Sequence, residues 1–143
     1  MRTVRQLLES KGPEVHANGP DAAVIDAIRL MAEKGSGALV VLEPGGRLAG
    51  MVSERDYARK IVLEGRSSKD TPVRDIMTSD VATVRMDDVA EACMQLVTDR
   101  RVRHLPVVAG GAVVGLVSIG DLVKAVIEEQ QRELEHLQRY ISS

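Results

Sequence analysis

The sequence reads Gly50-Met51-Val52-Ser53-Glu54-Arg55-Asp56-Tyr57 in its first half and Gly115-Leu116-Val117-Ser118-Ile119-Gly120-Asp121-Leu122, 65 positions later, in its second half. Glycine, valine, serine and aspartate recur at the same spacing, and we name this pattern the Ser-Asp motif. Each copy runs from an apolar stretch, typical of a strand, into a stretch typical of a helix start. Because internal repetition sets the architecture of a chain, the two copies predict two similar structural units.

The similarity extends well beyond the Ser-Asp motif. Two further pairs of segments match, residues 39–42 with 105–108 and residues 4–8 with 73–77. Val24 and Ala27 match Val89 and Ala92, again at an offset of 65. The offset then changes by one, and we place that change in residues 99–102. Length changes confined to turns are typical of a structural repeat.

The pattern of apolar residues in each unit reads strand–helix–strand–strand–helix, which predicts an α/β (α+β) fold. We place the first repeat, with a short N-terminal helix, at residues 1–65 and a polar linker at residues 66–72. The second repeat, with a long C-terminal helix, occupies residues 73–143. Units of this size are marginally stable alone, so we expect them to share one core.

Composition excludes several classes of protein. The net charge of −2, with acids and bases mixed, lacks the basic surplus of a general nucleic-acid binder. The chain has no apolar stretch long enough to span a bilayer and no apolar run like that of a secretory signal at its N-terminus, so we expect a cytoplasmic location and no membrane partner.

The core must consist of Val, Leu, Ile, Met and Ala, because the chain has no Phe or Trp and only two Tyr. Cys93 is the single cysteine and lies in an apolar helical stretch. We therefore interpret it as a buried structural thiol rather than a reactive one.

The C-terminal helix carries a heptad-like row of side chains. Its members follow each other at alternating spacings of four and three: Val123, Ile127, Gln130, Leu134, Leu137 and Ile141. Such a row packs either on its own domain or on a partner, and the sequence leaves both open. Because small repeats need more burial than one copy easily provides, we predict a homodimer.

The Ser-Asp motif itself has two readings. In a capping box, Ser53 accepts a hydrogen bond from the third helical N–H and Asp56 reaches back to the serine N–H. Alternatively, the free N–H groups at the helix start and the serine hydroxyl hold a phosphate, and the aspartate accepts hydrogen bonds from a ribose diol. The glycine that precedes the serine in both copies favours the second reading, because capping alone does not require it.

A second polar cluster, at residues 100–106, is basic. Arg101 and Arg103 suit phosphate because the guanidinium fork matches phosphate oxygens, although a solvated basic turn would have the same composition. The matching residues 35–38 are nearly uncharged, and Arg55 is matched by Gly120. We therefore expect the two repeats to present chemically different sites.

No pattern of catalytic or metal-binding residues stands out. The three histidines, at positions 16, 104 and 136, lie in separate segments, and no Cys/His/Asp set has metal-ligand spacing. A nucleotide-hydrolysing enzyme would need a general base or a metal cluster that the sequence does not suggest. We predict a protein without catalysis, catalytic cofactor or metal.

The paired Gly-apolar-apolar-Ser-x-x-Asp segments, each following an apolar strand like Leu105-Pro106-Val107, resemble tandem CBS (cystathionine-β-synthase-type) domains, also called a Bateman module. The resemblance covers essentially the whole chain. The motif residues are similar to those of stand-alone bacterial two-CBS signalling proteins. It implies two repeats packed through their sheets with pseudo-two-fold symmetry, two clefts, and disc-like dimers. It also implies adenosine-containing ligands such as AMP, ADP, ATP, NAD or S-adenosylmethionine.

The same resemblance implies roles for individual residues. Asp56 and Asp121 would hold the ribose diol, and Ser53 and Ser118 would approach the phosphate. Further nucleotide-binding candidates are Arg103 and His104 at the phosphate, Thr83 at the base, and Arg55 and Pro106. The first repeat departs from the family pattern at residues 15–18 and 39–41, so the second repeat is the stronger candidate site.

The sequence therefore predicts a small sensor that binds an adenine nucleotide and modulates a separate, unidentified effector protein. The alternative is a ligand-independent dimeric scaffold with vestigial clefts.

Overall fold

The structure, a computed structural model, describes residues 1–142 and is a mixed α/β fold. The helices are α1 (Val4–Lys11), α2 (Val24–Lys34), α3 (Glu54–Tyr57), α4 (Ala90–Arg100) and α5 (Ile119–Ser142). The strands are β1 (Ala17–Asn18), β2 (Ala38–Leu42), β3 (Leu48–Ser53), β4 (His104–Ala109) and β5 (Ala112–Ser118). A π-helical stretch, Ala58–Val62, continues α3, and a short 3-10 turn spans Val73–Asp75. The predicted fold class is confirmed.

The chain forms two compact units. The first repeat lies in a unit made of residues 14–81 and 110–113, which we name unit A. The second lies in a unit made of residues 1–13, 82–109 and 114–143, which we name unit B. The packing thus differs from the predicted division, which put the N-terminal helix with the first repeat and made 66–72 a linker between the two.

The segment that precedes each repeat packs with the other repeat. In unit B, Val4, Leu7 and Leu8 of α1 are buried in the core. In unit A, the matching segment contributes Val73 and Ile76 to the core. Each short segment carries an apolar face that it buries in that core. We name residues 3–11 and 72–78 the exchanged segments.

Unit A is built on a three-stranded sheet in the order β1-β2-β3. β1 runs parallel to β2 with Asn18 opposite Val41, and β3 runs antiparallel to β2 with Ser53 opposite Ala38. The β3 strand therefore delivers the Ser-Asp motif to the edge where β2 begins. Unit B contains the pair β4-β5, and a parallel bridge from Val84 to Val107 takes the place of β1.

The helical part of the repeat aligns at an offset of 66, so the predicted pairing of Val24 and Ala27 with Val89 and Ala92 is wrong. α2 begins at Val24 and α4 at Ala90, and the buried Ala27 corresponds to the buried Cys93. The length change falls before α4, whereas the sequence had suggested residues 99–102. Both helices end on a left-handed residue, Gly35 in one and Arg101 in the other.

The core is aliphatic, as predicted from the near absence of aromatic residues. Each unit buries its own set of Val, Leu, Ile, Met and Ala side chains, and Cys93 joins that of unit B. Burial, together with the charges of Asp88 and Glu91, raises the pKa of the Cys93 thiol to about 11. Since the thiolate is the reactive form, this confirms a structural rather than reactive cysteine.

Candidate nucleotide site in unit B

The Ser-Asp motif of unit B forms the start of α5. The Asp121 N–H donates to Ser118 Oγ at 3.1 Å, and the Ser118 N–H donates to Asp121 Oδ2 at 2.8 Å. This reciprocal pair is the capping box. It fixes the rotamer of the aspartate, and the Ser118 side chain itself contributes to lowering the pKa of Asp121.

A lysine that sequence reasoning did not nominate completes this turn. Lys11, the last residue of α1, places Nζ 2.6 Å from Asp121 Oδ2 and 2.9 Å from the Leu116 carbonyl oxygen. The last residue of this exchanged segment therefore contacts the aspartate of the Ser-Asp motif. The hydrogen bonds from Lys11 and Ser118 all reach Oδ2, so Oδ1 lies outside this network.

The environment keeps the Asp121 carboxyl ionised. Burial alone would raise its pKa, but the hydrogen bonds from Lys11 and Ser118 and the lysine charge outweigh burial, so the pKa of Asp121 is lowered. A carboxylate is an acceptor at both oxygens. The site thus holds a pre-oriented acceptor at the start of a helix.

Two of the predicted basic residues lie next to this turn. The Ile119 N–H donates to the Arg103 carbonyl oxygen at 2.9 Å, which ties the residue before β4 to the start of α5. The Arg103 side chain is exposed, and His104 is half-buried. Burial, then the charge of Lys11, and finally Arg103 lower the pKa of His104 against the opposing effect of Asp121. The imidazole is therefore neutral at pH 7 and Arg103 is the permanent charge.

The remaining unit B candidates lie along β4. Thr83 is exposed and precedes Val84, whose N–H donates to the Pro106 carbonyl oxygen at 3.0 Å. Pro106 itself is buried. The sheet thus brings Thr83 beside β4 with its hydroxyl accessible, whereas Pro106 has its only backbone hydrogen-bonding group committed to the sheet. Their roles in binding stay predictions.

The Ser-Asp motif of unit A forms the same turn with a different lysine. Asp56 Oδ2 accepts from both the N–H and the hydroxyl of Ser53, each at 3.0 Å. Lys60, one helical turn later, lies 3.4 Å from Asp56 Oδ1 and donates to the Ile76 carbonyl oxygen. Both carboxylate oxygens are therefore engaged by the protein itself. Arg55 is exposed on the outer side of α3.

The glycine of each motif has a packing explanation. A Cβ at Gly50 would lie 2.5 Å from the Thr78 carbonyl oxygen, and one at Gly115 would lie 2.6 Å from Leu8 Cδ1. Thr78 and Leu8 belong to the exchanged segments. The recurrence of glycine therefore has a packing explanation in the close approach of these segments to β3 and β5, and it does not by itself favour a ligand over capping.

Two polar groups outside the predicted set also stand out in the structure. Lys60 follows Asp56 at a spacing of four, a signal readable from sequence. Asn18 in β1 has a buried side-chain amide, and neither of its polar atoms has a hydrogen-bond partner among residues 1–142. It pairs with the buried Val41, so its side chain shares the core face of the sheet.

Within residues 1–142, no group of three His, Cys, Asp or Glu side chains is arranged to hold a metal ion. No helix in the same part of the chain has the length and apolar character needed to cross a membrane.

Comparison with known proteins identifies this architecture. The CBS domain model matches twice, over residues 19–63 and 73–128, which together include both Ser-Asp motifs. The chain belongs to the CBS domain family. The CBS domain-containing protein CBSX3, mitochondrial, of Arabidopsis thaliana is 44% identical over 97% of this chain and 71% of its own length. The chain spans only 24% of two further relatives, CBSCBSPB5 and CBSCBSPB4 of Arabidopsis thaliana.

Solved CBS structures have the same fold. A putative signal-transduction protein with CBS domains from Burkholderia ambifaria MC40-6 is 51% identical, with a TM-score of 0.84 over 90% of this chain and 96% of its own. CBSX2, solved in complex with AMP, is 27% identical, with a TM-score of 0.76 over 91% and 99% of the two chains. A hexameric CBS-CP12 protein from bloom-forming cyanobacteria is 26% identical, with a TM-score of 0.75 over 86% and 70%.

Proposed function

We propose that this CBS protein is a regulatory module that binds an adenosine nucleotide at the start of α5 in unit B. The observation that carries the proposal is Asp121, an ionised carboxylate oriented by Ser118 and Lys11 with Oδ1 outside their hydrogen bonds. A carboxylate oxygen placed in this way suits a ribose diol, which offers two adjacent O–H donors. The AMP complex of CBSX2 supports an adenosine ligand.

The phosphate has its own set of donors at the same turn. The Ser118 hydroxyl lies at the start of α5, and Arg103 contributes a permanent charge that matches phosphate oxygens. Because Lys11 bonds to Asp121, its ammonium contributes a further positive charge close by. Thr83, accessible beside β4, is our candidate for contact with the base. AMP, ATP and NAD all share the ribose and phosphate that this set recognises.

Unit A is proposed as the weaker site. Its Asp56 Oδ1 forms an ion pair with Lys60, and Ser53 donates its hydroxyl to Oδ2 of the same carboxylate. A ligand would have to displace Lys60 or rearrange Ser53 before it could use the motif. Arg55 supplies the charge there. We therefore expect two unequal affinities for one nucleotide.

The output of the module is proposed to be a change in the behaviour of an effector protein, with the module itself acting as a homodimer without catalysis. CBS domain proteins are generally regulatory, which supports this assignment. The cytoplasmic location predicted from the sequence stays a prediction.

Calorimetric titration with AMP, ATP and NAD tests the site. We expect Asp121→Ala to weaken nucleotide binding by about 1.5–3 kcal/mol, the range for hydrogen bonds to a charged group. Asp56→Ala is the matched control, since it removes the same capping carboxylate from the other repeat, and it should change the tighter affinity much less. Equal affinity of wild type and Asp121→Ala would reject the assignment.

A ligand-independent scaffold is the second candidate. The observation in its favour is that both Ser-Asp motifs form a complete capping box. It predicts no heat of binding and no thermal shift with any of the three nucleotides. A nucleotide at 100 times its dissociation constant should instead add about 2.7 kcal/mol to the free energy of unfolding.

A further inference from the structure

The C-terminal half of α5 carries an apolar row that unit B leaves uncovered. Leu122 and Ala125 bury the first turns of the helix in the core. Every residue from Gln130 to Ser142 is exposed, including Leu134 at 59% and Leu137 at 54%. The heptad-like row at residues 123, 127, 130, 134, 137 and 141, which we name the α5 seam, spans about 27 Å at 1.5 Å per residue.

The charged residues of α5 lie away from this seam. In a heptad assignment, position a falls on Ile127, Leu134 and Ile141 and position d on Val123, Gln130 and Leu137. The charged side chains after residue 127 lie mostly at positions b, c and f: Glu128, Glu129, Arg132, Glu135 and Arg139. Arg2, just before the exchanged segment, forms an ion pair with Glu128 at 2.9 Å, at a position b beside the seam rather than on it.

We propose that the α5 seam pairs with the same seam of a second copy of this chain, as a parallel two-stranded coiled coil in register. This deepens the homodimer part of the proposed function by naming its interface, and it does not depend on the nucleotide site.

Gln130 favours a second copy of this chain as the partner of the α5 seam. In a parallel, in-register pair this amide faces the identical amide, and each supplies the donor that the other accepts. A seam with one polar layer specifies register in this way. In the antiparallel pair of the same length, Gln130 would face Leu134 and lose its partner, and the two Glu133 carboxylates would come together. In the parallel pair Glu133 meets Gln138, which carries no charge.

The residues at the seam also favour two strands. Branched Ile127 and Ile141 at position a and Leu137 at position d are the combination that favours a dimer, and Leu134 at position a departs from it. The helix needs no separate nucleation because its first turns are already fixed by the core, so the seam pairs as a preformed surface.

Sedimentation of the full chain over a concentration series tests the interface. Leu134→Glu should weaken the dimer by about 100-fold or more, because two buried leucines are lost and two charges are brought together. His136→Glu introduces the same residue on the same helix at position c and should leave the dimer intact. A dimer that survives Leu134→Glu, or a wild-type chain that stays monomeric at high concentration, would overturn the proposal.

Oxidative cross-linking tests the register. Gln130→Cys should form a disulfide-linked dimer, whereas Arg132→Cys, at outward position f, should not. The buried Cys93 provides the background in both variants. If Gln130→Cys fails to cross-link but a mixture of Gln130→Cys and Leu134→Cys does so, the helices are antiparallel and the proposal is wrong. AMP titration of Leu134→Glu separates this outcome from a failure of the nucleotide site, since binding should persist.

Discussion

In both units a lysine contacts the aspartate of the Ser-Asp motif, but the lysine comes from a different element in each. In unit A the lysine that holds Asp56 comes from the same helix and reaches out to the Ile76 carbonyl of the exchanged segment. In unit B the lysine that holds Asp121 comes from the exchanged segment itself, 110 positions away, and reaches back to the Leu116 carbonyl of β5. Both motifs are thereby tied to a segment from the other repeat.

The two aspartates differ in whether one carboxylate oxygen lies outside the contacts with lysine and serine. Two identical capping residues produce one closed turn and one with an oxygen outside the network, because the lysine and the serine use the carboxylate differently. A sequence pattern that recurs within one chain therefore does not guarantee two equivalent binding sites. For each copy, the nearby charges, the lysine partner and the carboxylate oxygen outside the network have to be determined separately.

The largest expected difference between the units concerns their glycines. Gly50→Ala should lower the free energy of unfolding by about 3 kcal/mol, because the new Cβ meets a backbone carbonyl of Thr78 that cannot move aside. Gly115→Ala should cost about 1 kcal/mol, because the flexible Leu8 side chain can turn away. Urea unfolding of both variants measures the difference.

Gly120→Ala is the control for these variants, because its added Cβ would meet Ser118 Oγ at 3.6 Å, an ordinary contact. It should leave stability nearly unchanged. Equal losses for the variants at Gly50 and Gly115 would contradict the idea that one exchanged segment approaches through its backbone and the other through a side chain.

The next effect should be a gain in stability. Asn18 in unit A occupies the core-facing position that Val84 fills in unit B, since both pair with a buried valine of the adjacent strand. Asn18→Val should raise the free energy of unfolding by about 1 kcal/mol, because a buried amide without partners is replaced by a residue suited to a strand. The reverse change, Val84→Asn, should cost about 2 kcal/mol or more. A loss of stability in Asn18→Val would mean that water or a ligand satisfies the amide.

The order of strands and helices and the identity of the motif residues followed from local pattern, because hydrophobic period and turn chemistry act over a few residues. Lys11 could not be found in this way, since its contact with Asp121 depends on which repeat α1 packs against. The offset error had a similar origin. Val89 resembles Val24 in type, but the helix starts at the buried Ala90, and burial is decided by packing.

The recurring glycines have a second explanation that the sequence does not reveal. Their recurrence favours a ligand from sequence alone, yet in the structure each makes room for an exchanged segment. Close approach of backbone is a frequent use of glycine inside a strand. The sequence alone does not show which segment packs against which repeat, so it cannot distinguish a ligand from the close approach of an exchanged segment.

The smallest expected effect is a pH dependence that comes from His104 of unit B and has no counterpart at the matching position of unit A. His104 is matched in unit A by Ala38, which does not titrate. Burial and the charge of Lys11 lower the pKa of His104 below its ordinary value of 6.5, against the opposing influence of Asp121. The unfolded chain therefore binds this proton at a higher pH than the folded chain, and protonation favours unfolding.

The direction of the effect follows from that difference. Above pH 6.5 the imidazole is neutral in both states and contributes nothing, and as the pH falls from 6.5 toward the folded-state pKa the free energy of unfolding decreases. Denaturant unfolding at about pH 7.5 and about pH 5.5 measures it. His104→Gln should lose less stability between the two conditions than the wild type, and every other titratable group is the same in both proteins. Lys11→Met should reduce the loss partway, because it removes one of the charges that oppose protonation. A wild type and a His104→Gln variant with the same pH dependence would show that His104 titrates alike in the folded and unfolded chain.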